Sequence, residues 1–159
     1  MAEALVQTVA ASERDAILAA VPQQAPFRFV DEIVEVSDDH IVWRYRFRDD
    51  EFFYRGHFPG DPITPGVILI EAMAQAGVVA LRIYLFSMEA SKEDLAKLVT
   101  VFTDANVEFT GTVKPGDRVH TTGRVTFFRR RKLRAAVEMR LDDGTVVCSG
   151  ELSGLGVPR

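Results

Sequence analysis

The sequence is poor in residues that form disulfides or bind metals. Its one cysteine, Cys148, excludes a disulfide within the chain, and we expect it to be a small buried hydrophobic residue in the last strand. His57 and Asp61 supply only two metal ligands across Pro59-Gly60, so we predict no metal site. No glycine-rich loop follows a strand and opens a helix, and we therefore predict no nucleotide or redox cofactor.

The sequence also lacks an excess of positive charge. Its formal net charge is -4 and 26% of its 159 residues are charged, which gives no general affinity for nucleic acid. The N-terminal stretch MAEALVQTVAASERD lacks the basic-then-apolar order of a secretion signal, and with the single cysteine this predicts a cytoplasmic protein. Because 47% of the residues are hydrophobic, we expect one domain with one core, spanning residues 1–159.

One apolar run, Gly66 to Phe86, is almost long enough to cross a bilayer. It contains Glu71, Gln75 and Arg82, which are costly in lipid, so we predict a core helix and no membrane contact. The helix is expected to begin at Thr64-Pro65, where threonine can cap and proline fits the first turn. Its many alanines and its glycine allow other backbone to approach closely.

Shorter elements surround this helix. Ser12 is expected to cap a first helix that ends near Val21-Pro22, and Ser91 a short helix that ends near Leu98. Alternating apolar and polar residues predict strands at 41–48, 105–109, 119–127, 133–141 and 146–152, after an extended segment at 26–36.

The predicted order is therefore helix, two strands, long helix, short helix and four strands. Turn sequences at 114–117 and 142–144 join successive strands, which favours antiparallel pairing. We predict an α+β fold in which a mostly antiparallel sheet wraps around one long helix. His40 and His120 fall at polar strand positions and are expected at the surface.

Four residues near the start of the long helix form a candidate site. His57 lies in a loop rich in proline and glycine, and its imidazole suits a general base. Glu71 has apolar sequence neighbours, and because a buried carboxyl tends to keep its proton, we interpret it as a general acid that Gln75 at i+4 orients. Gly66 offers a helix-terminal N–H to a carbonyl oxygen.

Three of these residues also have a purely structural explanation. A loop histidine can bond backbone, a glutamate early in a helix can face water, and Gly66 can serve turn geometry. Together, a base, an acid and an oxyanion site suit removal of a proton alpha to a thioester carbonyl while a beta hydroxyl leaves as water. In an alternative scheme His57 is the only proton carrier, and Glu71 positions the hydroxyl or water.

The stretch RGHFPGDPITPGVILIEAMAQAG, residues 55–77, closely resembles the beta-hydroxyacyl-acyl-carrier-protein dehydratases of the FabZ type, which have the hotdog fold. The resemblance extends to VPQQAPFRFVDEIVEV and VEFTGTVKPGDRV and covers most of residues 17–152. It implies that His57 and Glu71 are catalytic, that the Gly66 N–H binds the thioester carbonyl, and that Gln75 orients Glu71. The implied reaction converts (3R)-hydroxyacyl groups to trans-2-enoyl groups, in fatty acid synthesis or a specialised lipid or polyketide pathway.

The resemblance also implies partners. It predicts a homodimer, or a higher oligomer built from it, in which His57 of one chain faces Glu71 of the other. The substrate arrives on acyl carrier protein, attached to the carrier's phosphopantetheine arm. The chain therefore needs no cofactor of its own. A charge run is usually a solvated surface, but here the resemblance suggests docking of the acidic carrier by a basic cluster: Arg129, Arg130, Arg131, Lys132 and Arg134.

Two positions depart from the common family pattern. Asp61 replaces the second histidine of HFPGHP, and Val21-Pro22-Gln23-Gln24 replaces an LPHR-type sequence. Neither change removes a catalytic group, but both leave the pathway open. Two other functions suit the same residues: a hotdog thioesterase in which the helix carboxylate activates water or attacks the thioester, and a non-catalytic acyl-binding subunit of a heteromeric dehydratase.

Overall fold

The computed structural model describes residues 9–159 of the chain. One long helix runs from Gly66 to Ser87 and is called α2 here. The other elements, in chain order, are α1 (Ala11–Ala20), β1 (Glu32–Val36), β2 (His40–Arg46), α3 (Lys92–Ala96), β3 (Leu98–Phe109), β4 (Arg118–Arg129), β5 (Lys132–Leu141) and β6 (Val146–Pro158).

The six strands form one antiparallel sheet in the order β1-β2-β4-β5-β6-β3. Strands β4, β5 and β6 are joined in succession by tight turns, whereas β3 lies at the edge beyond β6. The predicted α+β hotdog architecture, with its element order, is confirmed.

Helix α2 packs against strands β2, β4, β5 and β6 and forms the core with them. It is the one described helix long and apolar enough to cross a membrane, yet 72% of its most apolar window is buried inside the domain. Contact is close at Gly77, where an added Cβ would lie 2.9 Å from Cγ1 of Val137 and 3.5 Å from Trp43. On the sheet side, a Cβ at Gly123 would lie 3.0 Å from the Cα of Gly77. Glycine at both positions lets helix and sheet backbone approach directly.

The middle of α2 is a π-helix. Turns of α-helix at Gly66–Ala74 and Leu81–Ser87 flank a π segment at Gln75–Ala80, all of whose residues are buried. Such segments are rare and concentrate at functional sites. The hydrophobic run predicted one helix but gave no sign of this change in winding.

Two of the three predicted helix caps are wrong. Helix α1 begins at Ala11 after Ala10, so Ser12 lies inside the helix and caps nothing. Pro65 takes the N-cap position of α2, and the hydroxyl of Thr64 bonds that of Tyr54 at 2.6 Å instead. The third cap is confirmed, since Ser91 Oγ accepts a hydrogen bond from the Asp94 backbone N–H.

Strands β3 and β6 extend beyond their predicted limits. The short helix α3 ends at Ala96, and β3 begins at Leu98, well before residue 105. Strand β6 continues to Pro158 because its residues from Cys148 onward pair with β3, from Phe109 opposite Cys148 to Leu98 opposite Pro158.

Two predictions about single residues have opposite outcomes. Cys148 is buried as expected, and burial raises the pKa of its thiol to about 12. His40, expected at the surface, is buried, and its ring nitrogens lie 2.6 Å from Asp39 and 2.8 Å from Glu35. Burial opposes the imidazolium, but hydrogen bonds to these two carboxylates outweigh it and raise the pKa of His40. His120 is partly exposed beside Asp142.

Replacing Gly123 by valine should destabilise the domain by about 2 kcal/mol, because the new side chain meets the α2 backbone at Gly77. Urea unfolding followed by circular dichroism measures the change. Gly56→Val is the matched control: no atom lies within 4 Å of its Cβ position, so a loss under about 0.5 kcal/mol is expected. Equal losses for both variants would contradict the close helix–sheet contact.

Candidate active site

His57 lies in the loop between β2 and α2, and backbone bonds hold it in place. Its N–H donates to the Phe53 carbonyl at 3.1 Å, and its own carbonyl accepts from the Ile63 N–H at 2.9 Å. The ring atom Nδ1 lies 2.8 Å from the Ile63 carbonyl oxygen. Because a carbonyl can only accept, Nδ1 carries the hydrogen, and Nε2 keeps the lone pair that a general base needs.

Gln75 is the most constrained polar side chain near the start of α2. It is fully buried, and its Oε1 accepts the Phe29 N–H at 2.7 Å. Its Nε2 donates to the Phe27 carbonyl at 2.9 Å and to Glu71 Oε1 at 3.0 Å. These bonds fix the segment before β1 against the helix and hold the Glu71 carboxyl, so the expected contact between Gln75 and Glu71 is present.

Glu71 is only partly buried within one chain, which differs from the full burial expected from its apolar neighbours. Its side chain borders a narrow crevice between α2 and β3. The other residues lining the crevice are Gln23, Ala74, Val78, Val79, Thr100, Val101 and Phe102. The residues that line the crevice are therefore largely apolar. Two of them, Val101 and Phe102, are exposed to solvent in the single chain.

Gly66 is the first residue of α2, so its N–H has no partner inside the helix. An added Cβ at Gly66 would lie 3.0 Å from the ring of Phe109, at the end of β3. Gly66 and Glu71 thus lie on the first turns of the same helix, both beside β3. Within residues 9–159, no hydrogen bond joins His57 to Glu71.

The predicted basic cluster divides into two parts. Arg129, Arg130 and Arg131 are exposed at the hairpin between β4 and β5, where Arg130 has a left-handed φ of 58°. These three arginines line a shallow depression on the surface, and Lys132 and Phe127 line it with them. Arg134 lies further along β5, and its charge is partly balanced because its guanidinium is 3.5 Å from Asp104 and 3.9 Å from Glu151.

The sequence alone indicates no role for Arg82 beyond its cost in lipid. In the structure its side chain is almost fully enclosed between α2, β3 and the hairpin. The available signal was its position: Arg82 follows Gln75 by seven residues, which is two helical turns along the face that carries Glu71.

No metal-binding cluster is present in residues 9–159: no three His, Cys, Asp or Glu side chains lie together as metal ligands do.

The model of the FabA-like domain family matches residues 21–151 of this chain. Two curated relatives, the 3-hydroxyacyl-[acyl-carrier-protein] dehydratases FabZ of Streptococcus pyogenes serotypes M3 and M1, are each 41% identical over 139 residues. Each match covers 86% of this chain and 93% of the relative.

Solved structures show the same fold at low identity. A chain of the dehydratase heterocomplex ApeI:P from Xenorhabdus doucetiae superimposes with a TM-score of 0.72 at 18% identity, covering 90% of this chain and 91% of its own. A hypothetical thioesterase protein with coenzyme A from Streptococcus pneumoniae TIGR4 gives a TM-score of 0.60 at 15% identity, covering 94% of this chain and 98% of its own.

Gln75→Leu should lower the free energy of unfolding by about 3 kcal/mol, because it leaves the Phe29 N–H and the Phe27 carbonyl without partners near the core. Urea unfolding measures the loss. The matched control is Gln24→Leu, an exposed position where a change below about 0.5 kcal/mol is expected. If the two variants unfold at the same urea concentration, the Gln75 bonds do not contribute to stability.

Proposed function

The chain belongs to the FabA-like family, and we propose from that membership that it is a 3-hydroxyacyl-acyl-carrier-protein dehydratase. It removes water from (3R)-hydroxyacyl thioesters and forms trans-2-enoyl thioesters. The identity of 41% over 86% of the chain to FabZ dehydratases carries this proposal. The fold and the geometry of His57, Glu71 and Gln75 support it.

In the proposed reaction, His57 Nε2 removes a proton from the carbon alpha to the thioester carbonyl. The Gly66 N–H, unused by the helix, donates to the carbonyl oxygen and stabilises the enolate that forms. As the double bond develops, the C–O bond at the beta carbon breaks and Glu71 donates a proton to the departing oxygen, which leaves as water. Gln75 holds the Glu71 carboxyl throughout.

A second candidate scheme assigns both proton transfers to His57. The bond between Glu71 Oε1 and Gln75 Nε2 is compatible with both schemes, because an amide N–H donates equally to an oxygen of a carboxylate and to the carbonyl oxygen of a protonated carboxyl. One carboxyl oxygen is therefore engaged as an acceptor, and Glu71 can orient the substrate hydroxyl with the other.

The edge strand β3 supports assembly into a homodimer. It has a paired neighbour on one side only, and residues 101–106 are exposed along both of its faces. Val101, Phe102 and Phe109 are 41%, 44% and 45% exposed, in a strand long enough to nucleate pairing between chains. A second copy of this chain matches such an edge, because an antiparallel strand pair is compatible with two-fold symmetry.

The same surface links dimerisation to catalysis. Val101 and Phe102 border the crevice at Glu71, and Phe109 lies against Gly66, so a partner that covers β3 also covers the acid and the oxyanion site. We infer from the family resemblance, together with this exposed edge, that the partner's loop supplies the histidine that faces Glu71. Each active site is then shared by two chains.

The carrier protein is proposed to dock on the hairpin between β4 and β5. Three adjacent exposed arginines, Arg129, Arg130 and Arg131, give a net acidic protein one concentrated basic surface, and Lys132 extends it. The exposed Phe127 adds an apolar contact beside these charges. The acyl group arrives on the phosphopantetheine arm of the carrier, so the dehydratase needs no cofactor of its own, and it acts in the cytoplasm where soluble carriers are found.

His57→Ala and Glu71→Gln test the roles of the two residues in the dehydration. Each should lower kcat by about 10²- to 10⁴-fold, the usual contribution of a general acid or base, with little change in unfolding midpoint. The enoyl thioester absorbance from a 3-hydroxyacyl carrier substrate reports the rate, and the exposed Glu89→Gln is the control. Near-normal activity of Glu71→Gln would reject its role as acid and favour the scheme with His57 alone.

The same assay separates the rival functions. Free thiol released without enoyl absorbance would establish a thioesterase and refute dehydration. Binding of the acyl carrier without either product would indicate a non-catalytic subunit that needs a partner chain.

Docking is tested by reversing charge at the hairpin. The double change Arg129→Glu with Arg130→Glu should lower, by about tenfold, the ratio of kcat/KM for the carrier-linked substrate to that for a short pantetheine thioester, since steering acts only on the carrier. Arg140→Glu, at the other end of β5, is the control and should keep the wild-type ratio. An unchanged ratio in the double variant would place the carrier elsewhere.

A further inference from the structure

A cavity of about 610 Å³ lies between α1, the C-terminal half of α2, α3 and the start of β3. Its size is that of a small-molecule site. Most of its walls are apolar, including Ile17, Ile83, Leu95 and Val99. None of the proposed catalytic residues lines it, so the dehydration chemistry described above does not account for it.

The cavity adjoins the crevice at Glu71. Val79 and Thr100 line both spaces, one from the helix and one from the strand. The two spaces therefore meet along α2, with Glu71 at one end and Arg82 at the other. Glu71 and Arg82 are eleven positions apart along α2, which is at most roughly 16 Å at the α-helical rise per residue. An acyl group whose thioester carbonyl is at Gly66 and whose beta hydroxyl is at Glu71 would extend past Val79 toward Arg82.

Arg82 is a buried cation without a carboxylate partner among residues 9–159. Its side chain is 2% exposed, and its Nη1 and Nε lie 3.3 Å from Thr100 Oγ1 and 3.4 Å from the Arg131 carbonyl, both neutral acceptors. Its Nη2 has no hydrogen-bond partner there. A Cβ at position 156 would lie 1.8 Å from Nη2, so Gly156 is required for the guanidinium to fit.

This environment is costly for a cation. Burial lowers the pKa of Arg82, and the charge of Arg131 lowers it further. Buried charges in proteins are ordinarily paired, because desolvation costs several kcal/mol unless an opposite charge and hydrogen bonds offset it. The other charged residues lining the cavity are Glu13, Lys92 and Arg159. Its charged side chains are therefore three cations and one anion.

We propose that the cavity receives the distal end of an acyl chain that carries a carboxylate, with Arg82 as the residue that determines this specificity. The proposal rests on the dehydratase function and names a substrate class for it: 3-hydroxyacyl carriers derived from dicarboxylic acids. Apolar walls suit the methylene chain. Arg82 suits its charged end, because among residues 9–159 its guanidinium has the Phe86 ring at 5.3 Å but no carboxylate as a partner. In a low-dielectric site, a hydrogen bond between opposite charges is worth more than one to a neutral group.

The test compares three 3-hydroxyacyl carrier substrates of equal chain length that end in a carboxylate, in its methyl ester, or in a methyl group. Wild-type enzyme should show a kcat/KM for the carboxylate about tenfold or more above those for the other two. Arg82→Gln should bring the ratio of carboxylate to methyl substrate to about one, and Arg82→Lys should restore part of it. Arg44→Gln, an arginine paired with Glu32 on the sheet surface, is the matched control and should keep the wild-type ratio.

The outcomes separate this inference from the dehydratase assignment. If wild type converts the methyl-ended substrate and discriminates against the carboxylate, or treats ester and carboxylate alike, the proposal is overturned while dehydration stands. If none of the three substrates yields an enoyl product, dehydration itself fails. Should Arg82→Gln not fold, the three wild-type values still decide the question.

Discussion

The hydrogen bonds of Gln75 are the interaction on which the site depends most. This side chain is fully buried, and it joins the segment at Phe27 and Phe29, the helix α2 and the carboxyl of Glu71. A buried amide with all its main partners in place specifies one arrangement, because every alternative leaves polar groups unsatisfied. The side chain that joins the segment before β1 to α2 therefore also orients the carboxyl of Glu71, the proposed acid.

Close packing of helix and sheet extends this constraint along α2. Glycines at 77 and 123 let the helix lie deep in the sheet, and Gly156 makes room for Arg82 two turns beyond Gln75. One helix face therefore presents an acid at its start and a cation near its end, with an apolar stretch between them. The exposed edge of β3 borders that face, so the proposed assembly, substrate binding and chemistry would share one surface.

Local patterns in the sequence predicted most of the fold. Strand alternation and the long apolar run gave the element order, and the HFPG stretch located the site. Features set by tertiary contacts were not predictable: the Thr64 hydroxyl bonds Tyr54 instead of capping a helix, and β3 is lengthened by its pairing with β6. The burial of Arg82 belongs to the same class, since it depends on a glycine far along the chain. His40 bonds its sequence neighbours Asp39 and Glu35, but the strand alternation gave no sign that it is buried.

The claim that each active site is completed by two chains is tested most directly by mixing inactive subunits. His57→Ala and Glu71→Gln proteins are combined, subunit exchange is verified by mass, and the enoyl product is measured. If sites are shared, half of the dimers are mixed and each contains one site with both native residues, so about a quarter of wild-type activity should return. Complete exchange without recovered activity would contradict the account.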